Sequence, residues 1–97
     1  MAVRVRVTLV GVFGGLSGRR RVRLELGEGA TVGDVVKKLV AAFPPEFKAA
    51  LVDPVLGEPG PRALMLVNGR EVGVLDGVGT VVEDGDEVVL VPVSHTG

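Results

Sequence analysis

The chain has 97 residues, 46% of them hydrophobic and 24% charged, which describes one small globular domain with no room for a separate catalytic unit. A net charge of -1 lacks the basic excess that phosphate-backbone binding needs, and aromatics at 3%, with no Trp or Tyr, leave no stacking platform for single-stranded nucleic acid. The absence of cysteine excludes disulfides, thiolate metal cages, cysteine-held iron–sulfur clusters and cysteine nucleophiles, and the single histidine, His95, cannot build a zinc site alone.

Val3, Val5, Val7 and Leu9 alternate with Arg4, Arg6 and Thr8, the period of a half-buried strand. The same opening lacks the uninterrupted apolar stretch of roughly 7 to 15 residues that a secretory signal carries. Gly11 to Gly18 reads as a flexible connector, followed by a second strand in which Val22, Leu24 and Leu26 alternate with Arg21, Arg23 and Glu25; the two strands are expected to pair as a hairpin. Thr31 precedes an apolar stripe at Val32, Val35, Val36, Leu39 and Val40, and Asp34 stands where a capping box needs its acceptor, so an amphipathic helix is predicted. Pro44-Pro45 stops it, and a short helical turn through Phe47 and Leu51 follows.

Five Pro and Gly residues between Asp53 and Pro61 predict a surface loop. Ala63 to Val67 is continuously apolar, the pattern of a strand buried on both faces, and Asn68-Gly69 ends it with a turn. Arg70 to Val74 reads as a short strand, Asp84-Gly85 as another turn, and Glu87 to Val93 as a final, central strand. The longest apolar runs, Ala63 to Val67 and Val88 to Val93, fall far short of the ~20 residues that span a bilayer, so the expectation is a cytoplasmic protein with no membrane or nucleic-acid partner. This order predicts an α+β roll of the β-grasp type: a mixed sheet with one main helix crossing one face, and the strands around Val7 and Val89 at its centre.

Few residues suggest catalysis. The Gly11–Gly18 stretch lacks the Lys and Ser/Thr of a phosphate loop and runs instead into Arg19-Arg20. Glu83, Asp84, Asp86 and Glu87 lack calcium-loop spacing and read as a solvated turn, so no metal site is expected. Ser94 and His95 are adjacent, and neighbouring residues of an extended strand point to opposite faces, which argues against a nucleophile–base pair. The run Arg19, Arg20, Arg21, Arg23 reads first as a solvated strand face and second as a grip for an acidic protein partner.

Three motifs in order carry a resemblance: Val67-Asn68-Gly69-Arg70, then Glu83-Asp84-Gly85-Asp86-Glu87-Val88, then an apolar strand with Pro92 and a short tail to Gly97. With Leu26-Gly27-Glu28-Gly29-Ala30-Thr31-Val32-Gly33-Asp34 entering the helix, the whole chain resembles the sulfur-carrier branch of the ubiquitin-like superfamily, particularly the small subunit of molybdopterin synthase (MoaD-like) and the thiamine sulfur carrier (ThiS-like). The family tail is Gly-Gly where Thr96-Gly97 stands here, and His95 is reminiscent of the ubiquitin-related modifier family.

The resemblance implies a β-grasp domain over 1–93 and a flexible presenting tail, Ser94, His95, Thr96 and Gly97. It implies a non-catalytic carrier with no bound cofactor, whose Gly97 carboxylate a MoeB/ThiF-like activating enzyme adenylates with ATP-Mg and converts to a thiocarboxylate. The sulfur would pass to the molybdopterin synthase large subunit in molybdenum-cofactor biosynthesis, or to another acceptor enzyme. The alternatives are a protein modifier or tRNA-thiolation carrier conjugated through Gly97 to target lysines, and a β-grasp interaction module with an inert tail. A tail from Ser94 to Gly97 reaches about 13 Å when extended. The activating enzyme is expected to dock on the sheet face opposite the helix, at outward residues among Val89, Val91 and Val93 rimmed by Arg4 and Arg6.

Overall fold

The computed structural model describes residues 1–52 and 63–93. Five strands form one mixed sheet: β1 (Ala2–Leu9), β2 (Arg21–Gly27), β3 (Ala63–Val67), β4 (Arg70–Glu71) and β5 (Glu87–Pro92), in the spatial order β2-β1-β5-β3-β4. The hairpin is antiparallel, Val3 opposite Leu26 and Val7 opposite Val22, while β1 and β5 run parallel with Val7 beside Val88. β5 also pairs antiparallel with β3, so both of its edges are used and the Val88–Val91 run has no open side. The α+β roll and the inner places of β1 and β5 are as the sequence predicts.

Strand parity divides the sheet. Val3, Val5, Val7 and Leu9, with Leu24, Leu26, Met65, Val67, Val88 and Leu90, are buried in one core with the helices. The main helix, α2 (Val32–Ala42), supplies Val32, Val35, Val36 and Leu39 from its apolar stripe. Its start is the expected capping box: the Thr31 hydroxyl accepts from the Asp34 amide at 3.4 Å, and the Asp34 carboxylate accepts from the Thr31 amide at 2.9 Å. Those hydrogen bonds, the backbone one foremost, hold the Asp34 carboxyl below its usual 3.8. A further helix, α3 (Pro45–Leu51), opens on the proline pair and buries Phe47 and Leu51.

Three local expectations are corrected. The Gly11–Gly18 stretch is not a flexible connector: it contains α1 (Val12–Ser17), which buries Phe13 and ends at Gly18 in the left-handed conformation. Six residues cannot hold a helix alone in water; tertiary contact does so here, with the Phe13 ring edge-on to Phe47 at 5.8 Å and Phe47 stacked obliquely on Phe43 at 5.0 Å. Among the described residues α1 thus joins the main helix and the expected short helix through Phe47 and Leu51 in covering the sheet. Arg70–Val74 is not a single strand, since pairing stops at Glu71 and Val72–Val74 wind into a 3₁₀ turn. β3 is buried on one face only, Met65 and Val67 inward and Leu64 and Leu66 half-buried on the other side, because nothing described layers over that second face. The predicted loop from Asp53 to Pro61 lies outside the described residues.

Candidate functional site

The same parity that fills the core places the outward residues of β2, β1, β5 and β3 on one sheet face, open among the described residues. β1 contributes Arg4, Arg6 and Thr8, β2 contributes Arg21, Arg23 and Glu25, β5 contributes Glu87, Val89 and Val91, and β3 contributes Leu64 and Leu66. Register arranges them into a gradient. In one row Arg21 faces Thr8, Thr8 lies beside Val89, and Val89 faces Leu66, so the surface passes from charged to apolar across four strands. Val91 faces Leu64 in the next row towards the end of β5. Val89, Val91 and Val93 are each half-buried, forming an apolar patch on a sheet face that no described element layers over.

The structure thus brings Arg4, Arg6, Val89 and Val91 onto one face, with Leu64 and Leu66 completing an apolar half that sequence reading missed. The signal for them was present: a strand second from the edge with one covered face must turn alternate residues outward. Among the described residues, no carboxylate lies within ion-pairing distance of any arginine, and the one ion pair joins the N-terminal ammonium to Glu28 at 3.5 Å.

The acidic turn before β5 is structural. Asp84 accepts from the Arg4 amide at 2.8 Å, and Asp86 accepts from the Glu83 amide at 2.8 Å and from the Asn68 side-chain amide at 2.9 Å. The Asn68 carbonyl oxygen accepts from the Glu87 amide at 3.0 Å, tying the β3–β4 turn to the start of β5. Asp84 and Asp86 are thus held by backbone amides and the Asn68 side chain, and the described residues contain no group of His, Cys, Asp or Glu arranged to hold a metal ion.

At its far end β5 runs along α1. Gly11 has φ +58°, and a Cβ there would stand 2.9 Å from the Pro92 ring, so the chain can pass between α1 and β5 only without a side chain. The Val10 amide donates to Leu90 at 3.0 Å and extends the β1–β5 pairing by one step. Val93 is the last described residue beyond this contact, and Ser94, His95, Thr96 and Gly97 lie outside the described residues.

A family model described as the ThiS family matches residues 7–94. The chain belongs to the ThiS family. That places it in the sulfur-carrier and modifier branch of ubiquitin-like proteins, and its roll is the β-grasp fold of that superfamily. This ThiS-family chain is similar to small archaeal modifier protein 3 of Haloferax volcanii, 37% identical over 75 residues that make up 77% of this chain and 78% of the relative. Its fold is similar to the crystal structure of small archaeal modifier protein 1 from Haloferax volcanii, with a TM-score of 0.84 and 28% identity, covering 97% of this chain and 99% of that one. It is also similar to a putative molybdopterin converting factor, subunit 1, from Pyrococcus furiosus, with a TM-score of 0.76 and 27% identity over 95% of this chain and 99% of that one. No helix among the described residues of this ThiS-family domain is long and apolar enough to cross a membrane.

Proposed function

We propose that this protein is a non-catalytic acyl carrier whose Gly97 carboxylate is activated with ATP by a MoeB/ThiF-like enzyme and converted to a thiocarboxylate. In the first step a carboxylate oxygen attacks the α-phosphorus of ATP, forming the acyl adenylate and releasing pyrophosphate. In the second, a sulfur nucleophile attacks the carboxyl carbon and AMP leaves. The activation is needed because a free carboxylate is a poor acyl donor, and the chain, lacking cysteine, has no other group to carry sulfur. The observation that carries the reading is the family match from residue 7 to residue 94, which ends at the start of the Ser94-His95-Thr96-Gly97 segment.

The activating enzyme docks on the apolar half of the open face, Val89, Val91 and Val93 with Leu64 and Leu66, while Arg4 and Arg6 steer an acidic rim into place. Charge at Val91 blocks docking by desolvation, so Val91→Asp abolishes ATP–pyrophosphate exchange in the presence of the enzyme. Charge reversal at Arg4 and Arg6 lowers the association rate in a salt-dependent way, because exposed charges are screened. Exchange that survives Val91→Asp at the wild-type rate overturns the docking surface.

For the acceptor, the likeness to a putative molybdopterin converting factor subunit favours the large subunit of molybdopterin synthase, with this chain as the small subunit that supplies sulfur. The 37% identity to a small archaeal modifier protein favours a second use, conjugation of activated Gly97 to lysines of target proteins. Incubating the thiocarboxylated chain with each acceptor separates the two: sulfur transfer regenerates the free carboxylate, whereas conjugation leaves an amide-linked adduct.

A further inference from the structure

β2 forms one outer edge of the sheet, and its arginines have no partner among the described residues. Hydrogen-bond alternation fixes what that edge presents. The Leu9 amide donates to Arg20, and the amides of Arg6 and Val10 donate the other way, to Asp86 and Leu90. Odd residues of β1 therefore bond to β2 and even ones to β5, and by the register Val22, Leu24 and Leu26 turn their backbone groups inward to β1. Arg21, Arg23 and Glu25 turn theirs outward, as a row of donors and acceptors along a seven-residue strand with no backbone partner among the described residues.

The side chains on that row are unusual for a merely solvated face. Arg6 and Arg23 stand directly opposite each other in a non-hydrogen-bonded pair, where cross-strand side chains approach most closely and like charges are destabilising. Arg19 and Arg21 extend the same groove past Thr8. An antiparallel second copy would set Arg21 or Arg23 against Glu25, so self-pairing is an outcome of the test: it would protect the outward amides without any peptide and overturn the proposal.

We propose that the outer edge of β2 accepts an extended, acidic segment of a partner protein as an added strand. Main-chain bonds form to Arg21, Arg23 and Glu25, and carboxylates at alternate positions of the segment meet Arg21 and Arg23 on the open face. The intervening residues of the segment point towards the helix side, beside half-buried Val22, so the favoured pattern is acidic–apolar–acidic. At the other end of the edge Glu25 and Glu28 share a groove with Lys37 and Lys38 of α2, so the charge there is mixed and the uniformly basic end is that of Arg21 and Arg23. The acidic end of the segment is thereby held at the Arg21 end, which fixes register.

The test needs only the chain itself and a synthetic peptide of alternating Glu and Val, about eight residues long to match a strand. Saturable binding is expected, with new protection from hydrogen exchange at the amides of Arg21, Arg23 and Glu25, while those of Val22, Leu24 and Leu26 are protected with or without peptide. The double variant Arg21→Glu, Arg23→Glu weakens binding about tenfold or more and gains affinity for the Lys-for-Glu peptide. Both positions are exposed, and a thermal melt confirms that the variant is folded. Binding without protection at the three outward amides, indifference to the charge swap, no saturable binding, or equal affinity for an oligonucleotide would each overturn the proposal. Because no activating enzyme enters, these outcomes are independent of whether Gly97 carries sulfur.

Discussion

Replacing Phe13 by alanine tests whether α1 is an integral part of the core. The side chain is 1% exposed and meets Phe47 edge-on. Loss of a buried phenylalanine costs about 3–5 kcal/mol through lost transfer energy and the cavity left behind, with the aromatic contact contributing about 0.5–1.5 kcal/mol of coupling. A domain of this length is stable by about 5–15 kcal/mol, so the variant folds or sits at the margin. At roughly 4–8 °C per kcal/mol, even the smallest of these losses lowers the melting temperature by about 12 °C. Val12, one residue away, is 49% exposed and serves as the control: Val12→Ala changes stability by no more than about 0.5 kcal/mol. Urea unfolding followed by far-ultraviolet circular dichroism measures both, and a double-mutant cycle with Phe47→Leu isolates the ring contact. Equal, negligible losses at Phe13 and Val12 would mean that this stretch is a solvated linker, and the packing described for α1 would be wrong.

Thr31→Val removes the hydroxyl cap of α2 and costs about 1 kcal/mol, read as a fall in the urea midpoint at unchanged slope. Asp34 has its folded carboxyl held low by the Thr31 hydrogen bonds, so its contribution is full above the unfolded value and is lost as pH falls through the folded one; stability should decline below about pH 4, and Asp34→Asn should flatten that decline. An NMR titration placing the Asp34 midpoint at or above 3.8 contradicts this. Gly11→Ala costs about 1–3 kcal/mol from the positive φ and the Pro92 clash, and adding Pro92→Ala recovers the clash portion in thermal melts. Asn68→Ala loses both side-chain bonds to the β5 entry and costs about 1–2 kcal/mol, whereas Asn68→Gly relieves the φ of 50° and costs less.

The elements legible in the sequence were those whose periodicity and punctuation agree. Val3 to Leu9 alternates strictly, and Thr31 with Asp34 caps a stripe of apolar residues at helical spacing, so β1 and α2 follow from local chemistry alone. α1 was not legible by the same means, because Gly14 and Gly15 lower helix propensity and the element is held by Phe47, some thirty residues downstream. The glycine is itself a packing residue: a Cβ on Gly14 would come within 2.9 Å of the Leu9 carbonyl oxygen. A Phe13–Leu16 spacing of three with Gly18 behind it was the available signal. In the candidate site, parity placed Arg4, Arg6, Val89 and Val91 on one face, but the neighbouring Leu64 and Leu66 depended on knowing which side of β3 lacks a layer, a fact of tertiary assembly.

The central claim concerns one carboxylate, and its most direct test is the intact mass of the full chain after incubation with the activating enzyme, ATP-Mg and a sulfur donor. The account predicts a mass gain equal to exchange of one oxygen for sulfur, located at Gly97, retained in Thr96→Gly and lost in a chain truncated before Gly97 that still folds. An unchanged mass in the full chain, with the enzyme shown competent on a control carrier, would contradict it and leave a β-grasp interaction module.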